Sequence, residues 1–206
     1  MTTTFEMTRS LSEEGVDGRT LRRTRNRNAV IVALIDITRE GDLHPGASEI
    51  ADRAGVSHRS IFRYFDDLDD LVRTAIDHDL TEAGPLADIR DIGTGPVGER
   101  IAALVDARIA LYEHVDATMQ LARMRAHSIP WIDECIATVA EQFRTQIAKH
   151  FEPELAALSD EQRSLLVDGI LVLTSYDSFT IQARLLHSEI ERIRESWVAT
   201  VTAILT

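Results

Sequence analysis

Twenty residues, Ala47 to Asp66, constrain this chain more than any other stretch: ASEIADRAGVSHRSIFRYFD. Ile50, Ala51 and Ala54 recur at helical spacing and form one apolar face of a short helix. Gly55-Val56-Ser57 then interrupts it. Gly55 accommodates the positive φ that ends a helix, Val56 is apolar enough to fill a corner, and Ser57 has the side chain of an N-cap. A second helix follows, with Ile61 and Phe65 four apart on its inward side. That leaves His58, Arg59, Phe62 and Arg63 facing elsewhere. Ala51, four residues before Gly55, is small where two helices cross closely. Two short helices at a steep angle, the second with a basic outer face, make a helix-turn-helix of the kind that enters a DNA groove.

The rest of the composition decides whether such a reading is tenable. The formal net charge of −12 argues, on its own, against a polyanionic partner. Its distribution argues otherwise. Arg19, Arg22, Arg23, Arg25 and Arg27 fall in a stretch without an acid, while residues 81–206 carry 19 acidic and 11 basic side chains, a net of −8. Screening at physiological salt acts over about 8 Å, so a distant acidic region costs a local basic face little. With 206 residues and 44% hydrophobic content the chain can bury a substantial core. Cys135 is the only cysteine, which excludes an intrachain disulfide and suits a reducing compartment. Neither an N-terminal leader nor an apolar run of about 18 residues is evident, so a soluble cytoplasmic protein with no membrane partner is expected.

Along the chain, residues 1–18 read as a mobile tail, 19–82 as the helix-turn-helix domain and 83–206 as a helical body. Val30, Ala33, Leu34 and Ile37 form the inward stripe of a helix over about 20–40, closed by Gly41-Asp42. The acidic run Asp66, Asp67, Asp69, Asp70 suits a helix N-terminus better than a metal site, since an EF-hand loop would need a Gly and a Glu in register. Glycines and prolines between Thr81 and Gly98 mark the boundary between the two helical units. Beyond it, one amphipathic segment runs from Ile101 to Tyr112 and another from Met119 to Met124. A helix with Pro130 in its first turn follows, and Pro153 ends that region. A helix over about 160–186 opens on Ser159, and a last one covers 189–205. These two are apolar around much of their circumference, which implies cover from a second copy, a homodimer.

Ile50-Ala51, Ala54-Gly55-Val56-Ser57, Ser60-Ile61-Phe62-Arg63-Tyr64-Phe65 and Leu71, with Arg27, Val30, Ala33, Leu34, Ile37 and Gly41 upstream, resemble the tetracycline-repressor (TetR) type of bacterial transcription regulator. The likeness spans roughly residues 22 to 80. It implies an all-α fold, with an N-terminal three-helix DNA-binding domain and a C-terminal helical regulatory and dimerisation domain. It also implies a homodimer through the last two helices and an unidentified small-molecule effector. Relatives mostly carry Tyr where Phe62 stands and Lys where Leu68 stands, both phosphate contacts. Gly46 replaces their Thr or Ser at the start of the second helix.

The expectation is a ligand-responsive transcription regulator, a repressor rather than an activator, on a palindromic double-stranded operator. His58, Arg59 and Ser60 are the base-edge candidates. Arg27, Ser57, Arg63 and Tyr64 are assigned to the phosphates, and Phe62 to a thymine methyl or sugar. Tyr112, Met119, Arg123, His127, Trp131, Tyr176 and Phe179 mix aromatic, thioether and polar groups as a ligand cavity does. No catalytic residues, resident metal or cofactor are expected: the G-x-S-x-G, H-E-x-x-H, phosphate-loop and paired C-x-x-C patterns are missing. The sequence favours a polar surface role for His114 and His127 over metal ligation, and a buried inert thiol for Cys135 over a redox sensor. The alternative function is a helical protein-interaction or small-ligand-carrier protein with a vestigial helix-turn-helix.

Overall fold

A computed structural model describes residues 18–206, so the expected tail lies almost wholly outside the described residues. Among the described residues there is no strand. The α-helices are α1 (Gly18–Arg39), α2 (Ala47–Ala54), α3 (His58–Tyr64), α4 (Leu68–Ala87), α5 (Val97–Arg125), α6 (Trp131–His150), α7 (Glu152–Leu155), α8 (Asp160–Leu173), α9 (Tyr176–Thr180) and α10 (Ile190–Leu205). A π-helical turn, Ile181–Leu185, directly follows α9. The described residues divide into two compact units, 18–84 with 117–129, and 85–116 with 130–206.

The first unit is built on the stripe read in α1. Val30, Ala33, Leu34 and Ile37 are buried where α1 packs on α2 and α3, and Ile50 and Ala51 of α2, Ile61 and Phe65 around α3, and Leu71, Val72, Ala75 and Ile76 of α4 are buried in the same unit. Each buried Val, Leu, Ile or Phe side chain among them contributes about 1.5–3 kcal/mol when fully withdrawn from water. Packing is close: the void bounded by Leu34, Ile50, Leu71, Val72 and Leu121 holds only about 10 Å³, room for one water at most. Gly41, at φ 103, ends α1 by donating to the Thr38 carbonyl at 3.0 Å, and Asp42 donates to that of Ile37 at 3.2 Å. A buried polar link closes the unit. The Asp79 carboxylate of α4 accepts from Arg39 of α1 at 2.9 Å and from the Thr118 hydroxyl of α5 at 2.5 Å.

The second unit packs Ile101, Leu104, Val105, Tyr112 and Val115 of α5, Ile132 and Ile147 of α6, Val167 and Ile170 of α8, and Ile193, Trp197 and Val201 of α10. Ser159 caps α8 reciprocally: its hydroxyl accepts from Gln162 N–H at 3.3 Å while its own N–H donates to the Gln162 side chain at 3.1 Å.

Several segments differ from the sequence reading. The two stretches expected around 101–112 and 119–124 are one continuous helix, α5. Its apolar residues spiral around the axis, so no single stripe announces its length. Within the boundary stretch expected between Thr81 and Gly98, α4 runs on to Ala87 and carries Gly84 and Pro85 inside its last turn, where only one backbone bond is forfeited. Pro130 stands just before α6, at its N-cap. The helix expected over 160–186 is interrupted where Ser175 turns extended (φ −79°, ψ 163°) and caps α9 by accepting from Ser178 N–H. The 160–185 stretch is long and apolar enough to cross a membrane by length and composition alone, which the sequence reading passed over. Within one chain α8 keeps the uncovered apolar surface on which the expectation of a second copy rests. α8 buries only Val167 and Ile170, while Leu165 and Val172 are 66% and 69% exposed. Cys135 is half-buried rather than enclosed.

Candidate nucleic-acid interface

The turn between α2 and α3 sets the interface. Gly55 adopts left-handed geometry (φ 66°, ψ 32°) and donates to the Asp52 carbonyl at 3.2 Å, while Val56 donates to that of Ala51 at 3.0 Å. This paired pattern satisfies the last carbonyls of α2 and swings the chain sharply into α3. Ser57 occupies the N-cap position with extended backbone, but makes no side-chain cap. Its hydroxyl instead meets the Ser60 hydroxyl at 2.8 Å, which corrects the cap expected for it. The Ser60 N–H, which a capping side chain would serve, donates to the Ser57 carbonyl at 2.8 Å.

Ile61 and Phe65 anchor α3 in the core, and the remaining side chains are placed accordingly. Ser57, His58, Arg59, Phe62 and Arg63 are exposed, and Ser60 is half-buried among them. Phe62 is 48% exposed, with its ring 5.2 Å from that of His58. Tyr64 is half-buried: its hydroxyl accepts from Arg63 Nη2 at 2.8 Å and from Asn26 Nδ2 at 3.5 Å. Arg27 is half-buried as well, its guanidinium 4.9 Å from the centre of the Phe65 ring. Asn26 was missed by sequence reasoning. Its only signal is its position beside Arg27 in the arginine-rich start of α1.

The acidic run beside this face is accounted for locally. Asp67 caps α4 by accepting from the Asp70 N–H at 2.8 Å, and the Asp70 carboxylate reaches back to accept from the Asp66 N–H at 3.2 Å. Asp70 also pairs with Arg73 at 3.0 Å, and the Asp69 carboxylate lies 3.4 Å from Arg125. Carboxylates here suit the positive end of the helix dipole.

The expected ligand residues are only partly gathered. Tyr112, Tyr176 and Phe179 form one buried aromatic cluster in the second unit, with ring centres 5.6, 5.7 and 6.3 Å apart, and Trp197 completes it edge-on to Tyr112. The Tyr112 hydroxyl donates to the Thr174 carbonyl at 2.9 Å, and burial pushes its pKa up to about 12. Tyr176 donates to Asp116 at 2.8 Å. Trp131 is half-buried at the start of α6. Met119, Arg123 and His127 belong to the first unit; Met119 is half-buried there and the other two are exposed. A groove of about 290 Å³ lies against Phe179, bordered by Glu113, Asp116, Ala183 and Arg184. Sequence reasoning overlooked Arg108, which is wholly buried near this cluster.

Residues 44–75 match the family described as bacterial regulatory proteins, tetR family. No curated protein matches the chain. Among solved structures, the fold is similar to a transcriptional regulator from Rhodococcus sp. Rha1, with TM-score 0.67 and 17% identity over 87% of this chain and 95% of that one. It is similar to a tetR-family transcriptional regulator from Streptomyces coelicolor, with TM-score 0.72 and 14% identity over 88% of this chain and 80% of the other. A third similar structure is the multidrug binding protein EbrR complexed with imidazole, with TM-score 0.59 and 19% identity over 92% of each chain. Residues 44–75 thus match the tetR family, and the all-α fold of the chain is similar to those of solved transcriptional regulators.

Proposed function

We propose that this protein is a ligand-responsive transcriptional repressor that binds a palindromic operator as a homodimer and is released by a small-molecule effector. The observation that carries the reading is the open face of α3. His58, Arg59, Phe62 and Arg63 project from a helix whose opposite side is locked into the core by Ile61 and Phe65. Arg59 and His58 offer donors to base edges, and Arg63 and Ser57 offer them to phosphates. Arg22, Arg23 and Arg25 are exposed along α1 and add positive charge to the same unit.

Two further observations support the finer parts. Leu165 and Val172 leave an apolar stripe on α8 that a second copy would cover, and dimers of this kind read two half-sites about 34 Å apart or a multiple of it. The buried aromatic cluster beside a groove of about 290 Å³ is material for an effector site. Localisation with the chromosome in the cytoplasm follows from the same reading. Selection from a random duplex pool, read at two salt concentrations, tests it. A palindrome whose affinity falls steeply with salt is expected. A folded dimer that enriches no sequence, even after refolding free of any carried ligand, would refute it.

A further inference from the structure

Helix α5 buries two arginines two turns apart, and their surroundings differ. Arg100 is satisfied at every nitrogen: Nε donates to the Gly95 carbonyl at 3.1 Å, Nη1 to the His150 carbonyl at 2.6 Å, and both terminal nitrogens to the Glu154 carboxylate. Arg108, with no solvent exposure at all, donates only from Nη2, to the Gln146 side chain at 2.7 Å. Its Nε and Nη1 have no acceptor, no carboxylate among the described residues pairs with it, and its guanidinium stacks 3.6 Å from the centre of the Phe143 ring. Burial brings its pKa down to about 10, so it still carries its charge at neutral pH. A buried charge without a counter-charge is costly, and native interiors rarely leave one so.

The same unit holds a second orphan donor. Tyr112 is one helical turn after Arg108, and Trp197 sits edge-on to it, ring centres 6.4 Å apart. The Trp197 indole N–H is wholly buried and also lacks an acceptor. Guanidinium and indole nitrogens donate only, so what this cluster lacks is an acceptor-rich, negatively charged group. We propose that Arg108 anchors a binding site for an organic monocarboxylate, its carboxylate held by Arg108 and its apolar part lying against Phe143, Tyr112, Phe179 and Trp197. This deepens the effector-responsive reading above and rests on it for its regulatory meaning. One charge is specified rather than two, because Arg100 is neutralised by Glu154, and burial lowers the pKa of His150 and keeps that ring neutral.

The structure also offers a route. Phe179 both lines the groove of about 290 Å³ and packs 5.7 Å from Tyr112, so it is the partition between groove and cluster. The groove's Asp116 is matched by Arg184, which leaves the uncompensated positive charge inside, at Arg108. Phe179 belongs to the five-residue α9, followed at once by the π-helical turn and then by His187 at φ 50°. Irregular turns of this kind recur at functional sites, and a short helix beside one moves more readily than a long one.

The test uses benzoate, 2-naphthoate and decanoate, each with its neutral primary amide, titrated into the full-length protein by calorimetry and by Trp fluorescence. At least one carboxylate should bind at least tenfold tighter than its amide. Arg108→Met, which keeps the volume, should abolish that difference, Arg108→Lys should restore part of it, and Trp197→Phe should weaken it. Circular dichroism confirms that each variant is folded. Equal binding of acid and amide, undiminished carboxylate binding by Arg108→Met, or no binding by any probe would overturn the proposal. Operator affinity is measured separately. A carboxylate that binds through Arg108 without altering DNA binding would uphold the site and refute its regulatory role.

Discussion

The Arg27 guanidinium lies 4.9 Å from the centre of the Phe65 ring, so the arginine-rich start of α1 is fastened to the end of α3. Phe65 is 2% exposed and holds α3 down, while Phe62, three residues earlier, is 48% exposed on the outer face. A cation over an aromatic ring contributes about 0.5–1 kcal/mol at partly exposed sites.

The exposed ring gives the first prediction. Phe62→Tyr adds a hydroxyl to a side chain already facing outward, so stability should change by no more than about 0.5 kcal/mol. Affinity for the operator should rise modestly as the hydroxyl reaches a phosphate. A marked loss of stability in a denaturant titration would show that the ring is packed inward.

Gly55 gives the second. A Cβ built on it meets nothing within 4 Å, so the cost of Gly55→Ala is that of placing a side chain at φ 66° and nothing else. That cost is about 1–2 kcal/mol. Urea unfolding should show a lower midpoint with an unchanged slope. An unaltered midpoint would mean that the turn is not held in left-handed geometry.

The third concerns assembly. Leu165→Glu and Val172→Asp place charge on the apolar stripe of α8, outside the core of one chain. Sedimentation should show a dimer for the parent and a monomer for the double variant, with helical content retained and operator affinity greatly reduced. A double variant that remains dimeric would place the interface elsewhere.

The fourth is a pH dependence. His150 accepts from the Gly93 N–H through Nδ1 at 3.1 Å and meets the Arg100 carbonyl through Nε2 at 2.8 Å, the arrangement of a neutral ring. Burial lowers its pKa below the usual value. The unfolded chain, with His near pKa 6.5, therefore takes up a proton at a pH where the folded chain does not. Stability from this group is fully present above about pH 7.5 and is lost as pH falls through 6.5 towards the lower folded value. Tm should fall from pH 7.5 to 5.5 less steeply in His150→Asn than in the parent. Equal slopes would remove His150 from the account.

The parts legible in the sequence are those governed by neighbours close along the chain. The α2–α3 turn depends on Gly55, and the cap on α8 on Ser159 and Gln162, each within four residues of what it controls. The parts that were not legible depend on distant partners. Ser175 ends one helix and begins another inside a run whose apolar content reads as continuous. Arg108 looks like an ordinary polar residue of an amphipathic helix until Gln146, 38 positions away, and Phe143 are seen beside it. Met119, Arg123 and His127 were grouped with Tyr112 by residue type, yet they fall in the other compact unit. Residue type alone does not say which side of a long helix faces which neighbour.

The central claim is that the outer face of α3 reads base edges, and Arg59 tests it most directly. The affinities of the parent and of Arg59→Ala are to be measured on the selected operator and on its complete set of single-base-pair variants. The account predicts a loss of about 1–3 kcal/mol on the operator and relaxed preference at one base pair in each half-site, with other positions unaffected. A uniform loss across all duplexes would contradict it and make Arg59 a backbone contact.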